Sequence, residues 1–279
     1  MAKTMRVAMG QLLVEAGQPD ANLGRAVNMI EGAARARSDI IVLPECLDIG
    51  WTHPGARQLA QPIPGKYSET LSKAAQKYAI HVVAGLVERA GDKLYNAAVL
   101  IDSEGKIQLL HRKINELDIA ADLYAVGDRL AVVGTKFGLI GVDICADNFP
   151  ESLAIGHVLA RMGAQIILSP SAWAVEPDYD NVKAPYGALW LTAYRQLSKL
   201  YDLPVVGVSG VGWLTDGPWK GWKLIGSSLA IASDGAVIMQ GPFGEAAQTM
   251  IAVDIALREP KAFGTTLLDD LRQRGYSGI

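Results

Sequence analysis

Short apolar runs alternate with amphipathic helical patterns along most of the chain. Nearly continuous apolar runs predict buried strands at Met5–Gln11, Ile40–Leu43, Ile80–Val87 and Gln165–Ser169. Apolar residues at helical spacing predict helices at Asn22–Ala36, Ser68–Tyr78, Pro150–Met162 and Pro185–Tyr201. Strands that are apolar on both faces and alternate with helices indicate parallel pairs that are covered on both sides.

Turns that contain glycine divide other apolar segments into hairpins. The paired segments are Tyr95–Ile101 with Lys106–Leu110, Leu130–Val133 with Phe137–Ile144, and Ser228–Ala232 with Ala236–Gln240. Two more strands are predicted at Pro204–Val208 and Ile251–Ile255. Hairpins beside parallel pairs indicate mixed sheets. Because no low-complexity linker interrupts the pattern, residues 1–279 are predicted to form one domain, with a more polar tail at 256–279.

Composition narrows the class of protein. The chain has 279 residues, of which 50% are hydrophobic, and this is enough for one large core. Its net charge is −3 and it has no basic block, so neither nucleic acid nor an anionic membrane is an expected partner. No apolar run approaches the roughly 18 residues of a membrane span.

The N-terminus and the cysteine count indicate a compartment. The first residues lead directly into a strand, so no secretory signal is predicted. The only cysteines, Cys46 and Cys145, lack the spacing of a disulfide framework or a thiol zinc site. The four histidines are scattered. We therefore expect a cytoplasmic protein without a metal or another cofactor.

Three polar residues each follow an apolar strand. Glu45 ends the run IIVLPE, Lys113 follows Ile107–Leu110, and Cys145 ends the run GLIGVDIC. Strand ends on one side of a layered sheet converge on one pocket, so these side chains are expected to meet. A helix start after Cys145 would also lower the pKa of its thiol.

A carboxylate, an ammonium and a thiol together complete an acyl-transfer site. Cys145 would attack a carbonyl carbon and Glu45 would transfer the protons. Lys113 and the backbone N–H of Ala146 would stabilise the oxyanion. Each residue has a structural alternative: an inert packed thiol for Cys145, a capping carboxylate for Glu45 and a solvated side chain for Lys113. Their joint occurrence, in this order, favours catalysis.

The motifs around these residues resemble those of the nitrilase superfamily of carbon–nitrogen hydrolases. They are LPE ending at Glu45, HRK at 111–113 and GxxxxxxCxDxxPE at 138–151, within a similar framework over residues 5–255. The resemblance implies a four-layer αββα sandwich with mixed sheets and a triad of Glu45, Lys113 and Cys145. It also implies a homodimer, or a higher homo-oligomer built from dimers, in which the C-terminal tail contacts the partner.

The residue after the nucleophile indicates the substrate class. Many members of the superfamily have an aromatic residue where this chain has Ala146, and tryptophan followed by glutamate is typical of true nitrilases. The predicted reaction is therefore hydrolysis of a small carboxamide to carboxylate and ammonia through a thioester. Hydrolysis of an N-carbamoyl amine or amino acid is the first alternative, and nitrile hydrolysis is the second. If the protein is not an enzyme, the alternative is a catalytically silent scaffold with the same fold.

Many members of the superfamily also carry a second glutamate after the lysine. Glu116 and Asp122 are the candidates here, and for each of them a surface position in an irregular loop is the slightly favoured alternative. Trp173, just after the segment SPSA, is expected to face the substrate pocket.

The remaining bulky and cationic residues do not decide between the possible substrates. The three tryptophans of the segment 213–222 either wall the pocket or pack within their loop or on a partner subunit. Arg195 and Lys183 are candidates for the cation that a carbamoyl amino acid would need.

Overall fold

The computed structural model describes residues 3–260 and 267–276 of the chain. The strands are β1 (Lys3–Gln11), β2 (Ile40–Val42), β3 (His81–Ala90), β4 (Lys93–Ile101), β5 (Ile107–Arg112), β6 (Val132–Thr135), β7 (Gly138–Val142), β8 (Ile166–Ser171), β9 (Ala174–Val175), β10 (Val205–Ser209), β11 (Val211–Trp213), β12 (Lys223–Ile225), β13 (Leu229–Ile231), β14 (Val237–Gln240) and β15 (Thr249–Leu257). The helices are α1 (Pro19–Arg35), α2 (Ala56–Leu59), α3 (Lys66–Tyr78), α4 (Ala154–Arg161), α5 (Ala188–Tyr201) and α6 (Leu267–Gln273).

Most strands form two six-stranded mixed sheets. The first sheet has the order β15-β1-β2-β3-β4-β5, and the second has the order β14-β13-β10-β8-β7-β6. In the first sheet β1, β2 and β3 are parallel neighbours, and in the second β7, β8 and β10 are parallel neighbours. The remaining pairs in both sheets are antiparallel. The predicted mixed sheets are thus confirmed.

Side-chain alternation places the two sheets face to face. Met5, Val7 and Met9 of β1 pack in a cluster with the second sheet and with α4 and α5, whereas Ala8 packs with α1 and α3 on the opposite face. Successive residues of a strand point to opposite faces, so one apolar strand serves two cores. The result is the four-layer αββα sandwich that the resemblance implied, and the predicted fold class is confirmed.

Several predicted elements differ from those observed. The predicted helix Pro150–Met162 begins with a 3₁₀ turn at Pro150–Ser152, and α4 starts only at Ala154. Another 3₁₀ turn, Cys145–Asn148, precedes this range. The predicted helix Pro185–Tyr201 begins only at Ala188, after a loop. A small third sheet of β11, β12 and β9 was not predicted.

The C-terminal tail is only partly described. Its first two residues, 256 and 257, belong to β15, and α6 lies further along. Residues 261–266 and 277–279 of the predicted tail lie outside the described residues. Every helix in the described ranges is too short or too polar to cross a lipid bilayer.

Candidate active site

The structure brings the three predicted strand-end residues together. Glu45 lies just after β2, Lys113 directly after β5 and Cys145 just after β7, so both sheets contribute. The side chains of Glu45 and Lys113 are each 1% exposed and Cys145 is 8% exposed. A carboxylate and an ammonium are rarely buried without a partner, and here each has the other.

Two donors hold the Glu45 carboxylate through a single oxygen. Its Oε1 accepts hydrogen bonds from Lys113 Nζ at 2.7 Å and from Asn96 Nδ2 at 2.6 Å. Its Oε2 is buried and has no hydrogen-bond partner among the described residues. Glu45 is therefore fixed in place while one oxygen remains able to accept a proton.

Burial disfavours the thiolate form of Cys145. Burial raises the pKa of Cys145 well above its usual range, and the neighbouring charge of Glu45 raises it further. Lys113 and the backbone N–H of Ala172 lower this pKa but do not outweigh the first two effects. The low pKa expected from the strand–helix junction was therefore wrong, because the desolvation of a fully buried thiol dominates.

Lys113 is held as a cation. Burial lowers the pKa of its ammonium, but the charges of Glu45 and Glu116 more than compensate, so the pKa lies above its usual range. The buried Lys113 thus contributes a fixed positive charge beside the thiol, and such a charge can stabilise a developing oxyanion.

The backbone at Cys145 has an uncommon conformation. Its φ of +46° lies in the left-handed region, and Cys145 begins the 3₁₀ turn Cys145–Asn148. Ala146 therefore lies in the first turn, where backbone N–H groups have no acceptor within the helix. The carbonyl of Ala146 accepts hydrogen bonds from Asn115 Nδ2 at 2.7 Å and Ser152 Oγ at 2.6 Å, which fixes this peptide.

Asp147 joins the Lys113 segment to the Cys145 turn. Its Oδ1 accepts from the backbone N–H groups of Ile114 and Asn115 at 3.1 and 2.8 Å. Its Oδ2 lies 2.8 Å from His111 Nε2 and accepts from the Ile144 N–H at 3.0 Å. Sequence reasoning gave Asp147 no part in holding the site, although the CxD and HRK motifs contain both partners.

The two candidates for the second carboxylate have different positions. The Glu116 side chain is 3% exposed and its Oε2 lies 3.8 Å from Lys113 Nζ. Burial raises the pKa of Glu116 to about 8, against the opposing effect of Lys113. Asp122 is exposed, and its backbone carbonyl accepts a hydrogen bond from Arg57. The favoured surface position is therefore wrong for Glu116, and Asp122 lies outside the site.

Aromatic side chains form a connected cluster around Trp173. Trp173 is buried and stacks on Trp190, with ring centroids 4.8 Å apart, and Trp190 Nε1 donates to the Tyr186 hydroxyl at 2.9 Å. Burial and the nearby Cys145 raise the pKa of Tyr186. Tyr186 and Phe243 also line a cavity of about 310 Å³. An aromatic wall of Tyr186, Trp190 and Trp173 thus extends inward from the cavity.

The other bulky residues pack on one another. Trp219 stacks on Trp222 at 4.2 Å and lies 5.0 Å from the buried Trp51, measured between ring centroids. These contacts favour loop packing over a pocket wall. Trp213 is exposed.

The two cation candidates have partners elsewhere. Arg195 Nε donates to the Gly235 carbonyl, and Lys183 is 85% exposed and paired with Asp180. Neither contact holds its cation beside Cys145. Within residues 3–260 and 267–276, no group of three or more His, Cys, Asp or Glu side chains is arranged to hold a metal ion.

Comparison with known proteins identifies the family. The model of the carbon-nitrogen hydrolase family matches residues 6–262, so the chain belongs to this family. The omega-amidase NIT2 of Danio rerio is 32% identical over 179 residues, which are 60% of this chain and 63% of that protein. The match therefore spans less than two thirds of that relative's length.

Solved structures share the fold. Nit3 of Saccharomyces cerevisiae, a member of branch 10 of the nitrilase superfamily, superposes with a TM-score of 0.76 at 25% identity, covering 99% of this chain and 96% of that one. A mutant of the amidase from Nesterenkonia sp. AN1 in complex with butyramide gives a TM-score of 0.77 at 19% identity, covering 98% and 95%.

Proposed function

We propose that this protein hydrolyses a small carboxamide to a carboxylate and ammonia, with Cys145 as the nucleophile. The observation that carries the proposal is the buried pair of Glu45 and Lys113 beside a buried thiol. A packing cysteine needs no such neighbours, because each buried charge is expensive to desolvate.

In the first half of the reaction, Cys145 Sγ attacks the amide carbon while Glu45 Oε2 takes the thiol proton. The tetrahedral oxyanion lies against Lys113 Nζ and the Ala146 N–H. Glu45 then returns the proton to the departing nitrogen. The C–N bond breaks, ammonia leaves and a thioester remains on Cys145.

In the second half, water replaces ammonia. Glu45 takes a proton from the water molecule as its oxygen attacks the thioester carbon, and the same two donors stabilise the oxyanion. The C–S bond then breaks, and the sulfur regains its proton from Glu45. The Glu116 carboxyl lies 3.8 Å from Lys113 Nζ, so it stabilises that ammonium whenever it is ionised.

Tyr186, Trp190 and Trp173 support a carboxamide with a small or apolar acyl group, which would lie against the aromatic wall. A relative is named an omega-amidase and a structural neighbour binds butyramide, and both names fit an amide substrate. A carbamoyl amino acid is less well supported, because Arg195 and Lys183 are engaged elsewhere.

An ammonia-release screen tests the proposal. Short amides, ω-amides, N-carbamoyl amino acids and nitriles are incubated with the wild type and with Cys145→Ala. We expect ammonia from at least one amide, and no release above background from Cys145→Ala at an unchanged melting temperature. Activity that survives in the variant would overturn the assignment of the nucleophile.

Cys46 provides an internal control in the same molecule. It follows Glu45 directly but is completely buried, and its thiol contacts Asn96 Oδ1 at 3.4 Å. Iodoacetamide should therefore modify Cys145 and not Cys46, as peptide mass spectrometry can show. A blank screen with an unreactive Cys145 would favour the silent scaffold.

We also propose that two copies associate through the layer formed by α4 and α5. Val158 of α4, Met162 at its end and Leu189 of α5 are 44%, 42% and 43% exposed, which is high for apolar side chains on one helical layer. Pairing there would stack two sandwiches, and the tail at 256–279 would contribute contacts. We further propose that the chain forms one carbon–nitrogen hydrolase domain and works in the cytoplasm. Its two free thiols are compatible with such a reducing compartment.

A further inference from the structure

A buried carboxylate just before the nucleophile has no part in the proposed proton transfers. Asp143 is fully buried, and its Oδ1 accepts from Asn148 Nδ2 at 2.6 Å. Its Oδ2 has no hydrogen-bond partner among the described residues. Burial and then the charge of Asp147 raise the pKa of Asp143 to about 7. Such a group is costly in a protein interior, so its position beside Cys145 calls for a physical reason.

The neighbours of Asp143 converge on the backbone of Cys145. Asn148 Nδ2 also donates to Ser169 Oγ at 3.1 Å. The Cys145 N–H donates to the same Ser169 Oγ at 3.2 Å. Asp143 precedes the 3₁₀ turn, Asn148 ends it and Ser169 lies on β8, so these contacts close around the turn from both sides.

Cys145 needs such support because of its conformation. A residue other than glycine is strained in the left-handed region and persists there where the surroundings hold it. Here φ is +46°. The hydrogen bond from the Cys145 N–H to Ser169 Oγ restrains this conformation directly. Asn148 binds the same hydroxyl and is itself bound by Asp143, so the two residues fix the hydroxyl relative to the turn.

We propose that Asp143, Asn148 and Ser169 form a clamp that holds Cys145 in its left-handed conformation and so directs Sγ at the substrate carbonyl. All three are positioning residues, because they contact the backbone of the nucleophile or one another. The clamp rests on the proposed function for its kinetic consequence, whereas its effect on the reactivity of Cys145 is independent of the substrate.

Ser169→Ala removes the acceptor that Cys145 and Asn148 share. We expect kcat to fall about 10- to 100-fold with a smaller change in KM, because a misdirected nucleophile weakens the chemical step more than binding. The rate of Cys145 alkylation by iodoacetamide should change as well. Ser171→Ala is the matched control: it removes a buried hydroxyl on the same strand, one that donates to the Ser169 carbonyl. This control should keep the wild-type kcat and alkylation rate.

A second pair of variants separates positioning from general destabilisation. Asp143→Ala removes the acceptor for Asn148 and should resemble Ser169→Ala, whereas Asp143→Asn keeps an acceptor oxygen and should restore most of kcat. If Ser169→Ala does not fold, the comparison of Asp143→Ala with Asp143→Asn tests the clamp instead. The clamp is overturned if Ser169→Ala and Asp143→Ala fold and retain wild-type kcat and alkylation rates. If the wild type hydrolyses no amide, the proposed function fails and the alkylation rates alone decide the clamp.

Discussion

Two charged side chains act on the Cys145 thiol in opposite directions. Glu45 raises its pKa and Lys113 lowers it, while burial determines the resting protonated state. In the proposed mechanism, the same carboxylate that disfavours the thiolate is the base that creates it during attack. The proposed mechanism therefore couples ionisation of the thiol to its attack on the substrate.

Glu45→Gln should separate these two effects. Amide hydrolysis is expected to fall about 10²- to 10⁴-fold because the general base is lost. Alkylation of Cys145, in contrast, should begin at a lower pH than in the wild type. The variant loses the anion that raises the pKa of the thiol and keeps the Lys113 cation that lowers it. The alkylation rate, measured as a function of pH, is the readout.

Glu151→Gln is the matched control for this prediction, since Glu151 is exposed on the 3₁₀ turn that follows Cys145. It should reproduce the wild-type alkylation profile. An unchanged or higher onset pH in Glu45→Gln would contradict the proposed electrostatics of the site.

Sequence reasoning reached Glu45, Lys113 and Cys145 because each directly follows an apolar strand, and such positions are visible in a linear pattern. It could not choose between Glu116 and Asp122, since both lie in a segment without periodicity. Only the folded path after Lys113 brings Glu116 to 3.8 Å from Nζ. The clamp at Asp143 was missed for a similar reason, because its partner Ser169 belongs to another strand.

At the scale of elements, β3 supports the segment that carries Glu45. The Gly85 N–H donates to the Pro44 carbonyl at 3.0 Å, and the Leu47 N–H donates to the Gly85 carbonyl at 2.9 Å. The segment that carries Glu45 therefore continues to pair with β3 after β2 has ended. Glycine is required there, because a Cβ at position 85 would lie 2.4 Å from Glu45 Cα.

Gly85→Ala should displace Glu45. Both Glu45 Cα and the Pro44 carbonyl are backbone atoms, so neither can rotate out of the way. We expect kcat to fall about 100-fold and the free energy of unfolding to fall by about 1–3 kcal/mol. Steady-state kinetics and urea titration measure the two quantities.

Gly24→Ala tests whether any glycine replacement has this effect. Gly24 lies inside α1, and a Cβ there would meet nothing within 4 Å. Alanine should stabilise this helix by about 0.5–1 kcal/mol and leave kcat unchanged. A wild-type kcat in Gly85→Ala would show that β3 does not position the base.

The long elements were predictable and the short ones were not. Continuous apolar runs and glycine turns gave the parallel strands and the three hairpins to within a few residues. The strands of the third sheet contain two or three residues each, too few for any period to show. The helix predicted from Pro150 becomes α-helical only at Ala154. Ser152, in the preceding 3₁₀ turn, contacts the Ala146 carbonyl and Asn115, and the contact with Asn115 lies outside the local sequence.

At the scale of the whole molecule, the stacking of the two sheets assembles the site. Glu45 and Lys113 come from the first sheet, and Cys145 comes from the second. Contacts between Asp147 and the Lys113 segment cross from one sheet to the other. Relative displacement of the sheets would therefore separate the thiol from its base, so catalytic geometry depends on the shared core between them.

The exposed apolar residues of α4 give the proposed dimer a direct test. Charges at Val158 and Met162 would be desolvated on pairing, whereas in a monomer both positions are already in contact with water. The double variant Val158→Glu/Met162→Glu should therefore elute as a monomer of 29.8 kDa in size-exclusion chromatography with light scattering. The wild type should have twice that mass. Val126→Glu, at an apolar position that is 60% exposed in a loop outside this helix layer, should remain dimeric. A monomeric wild type, or a double variant that keeps the dimer mass, would exclude this interface.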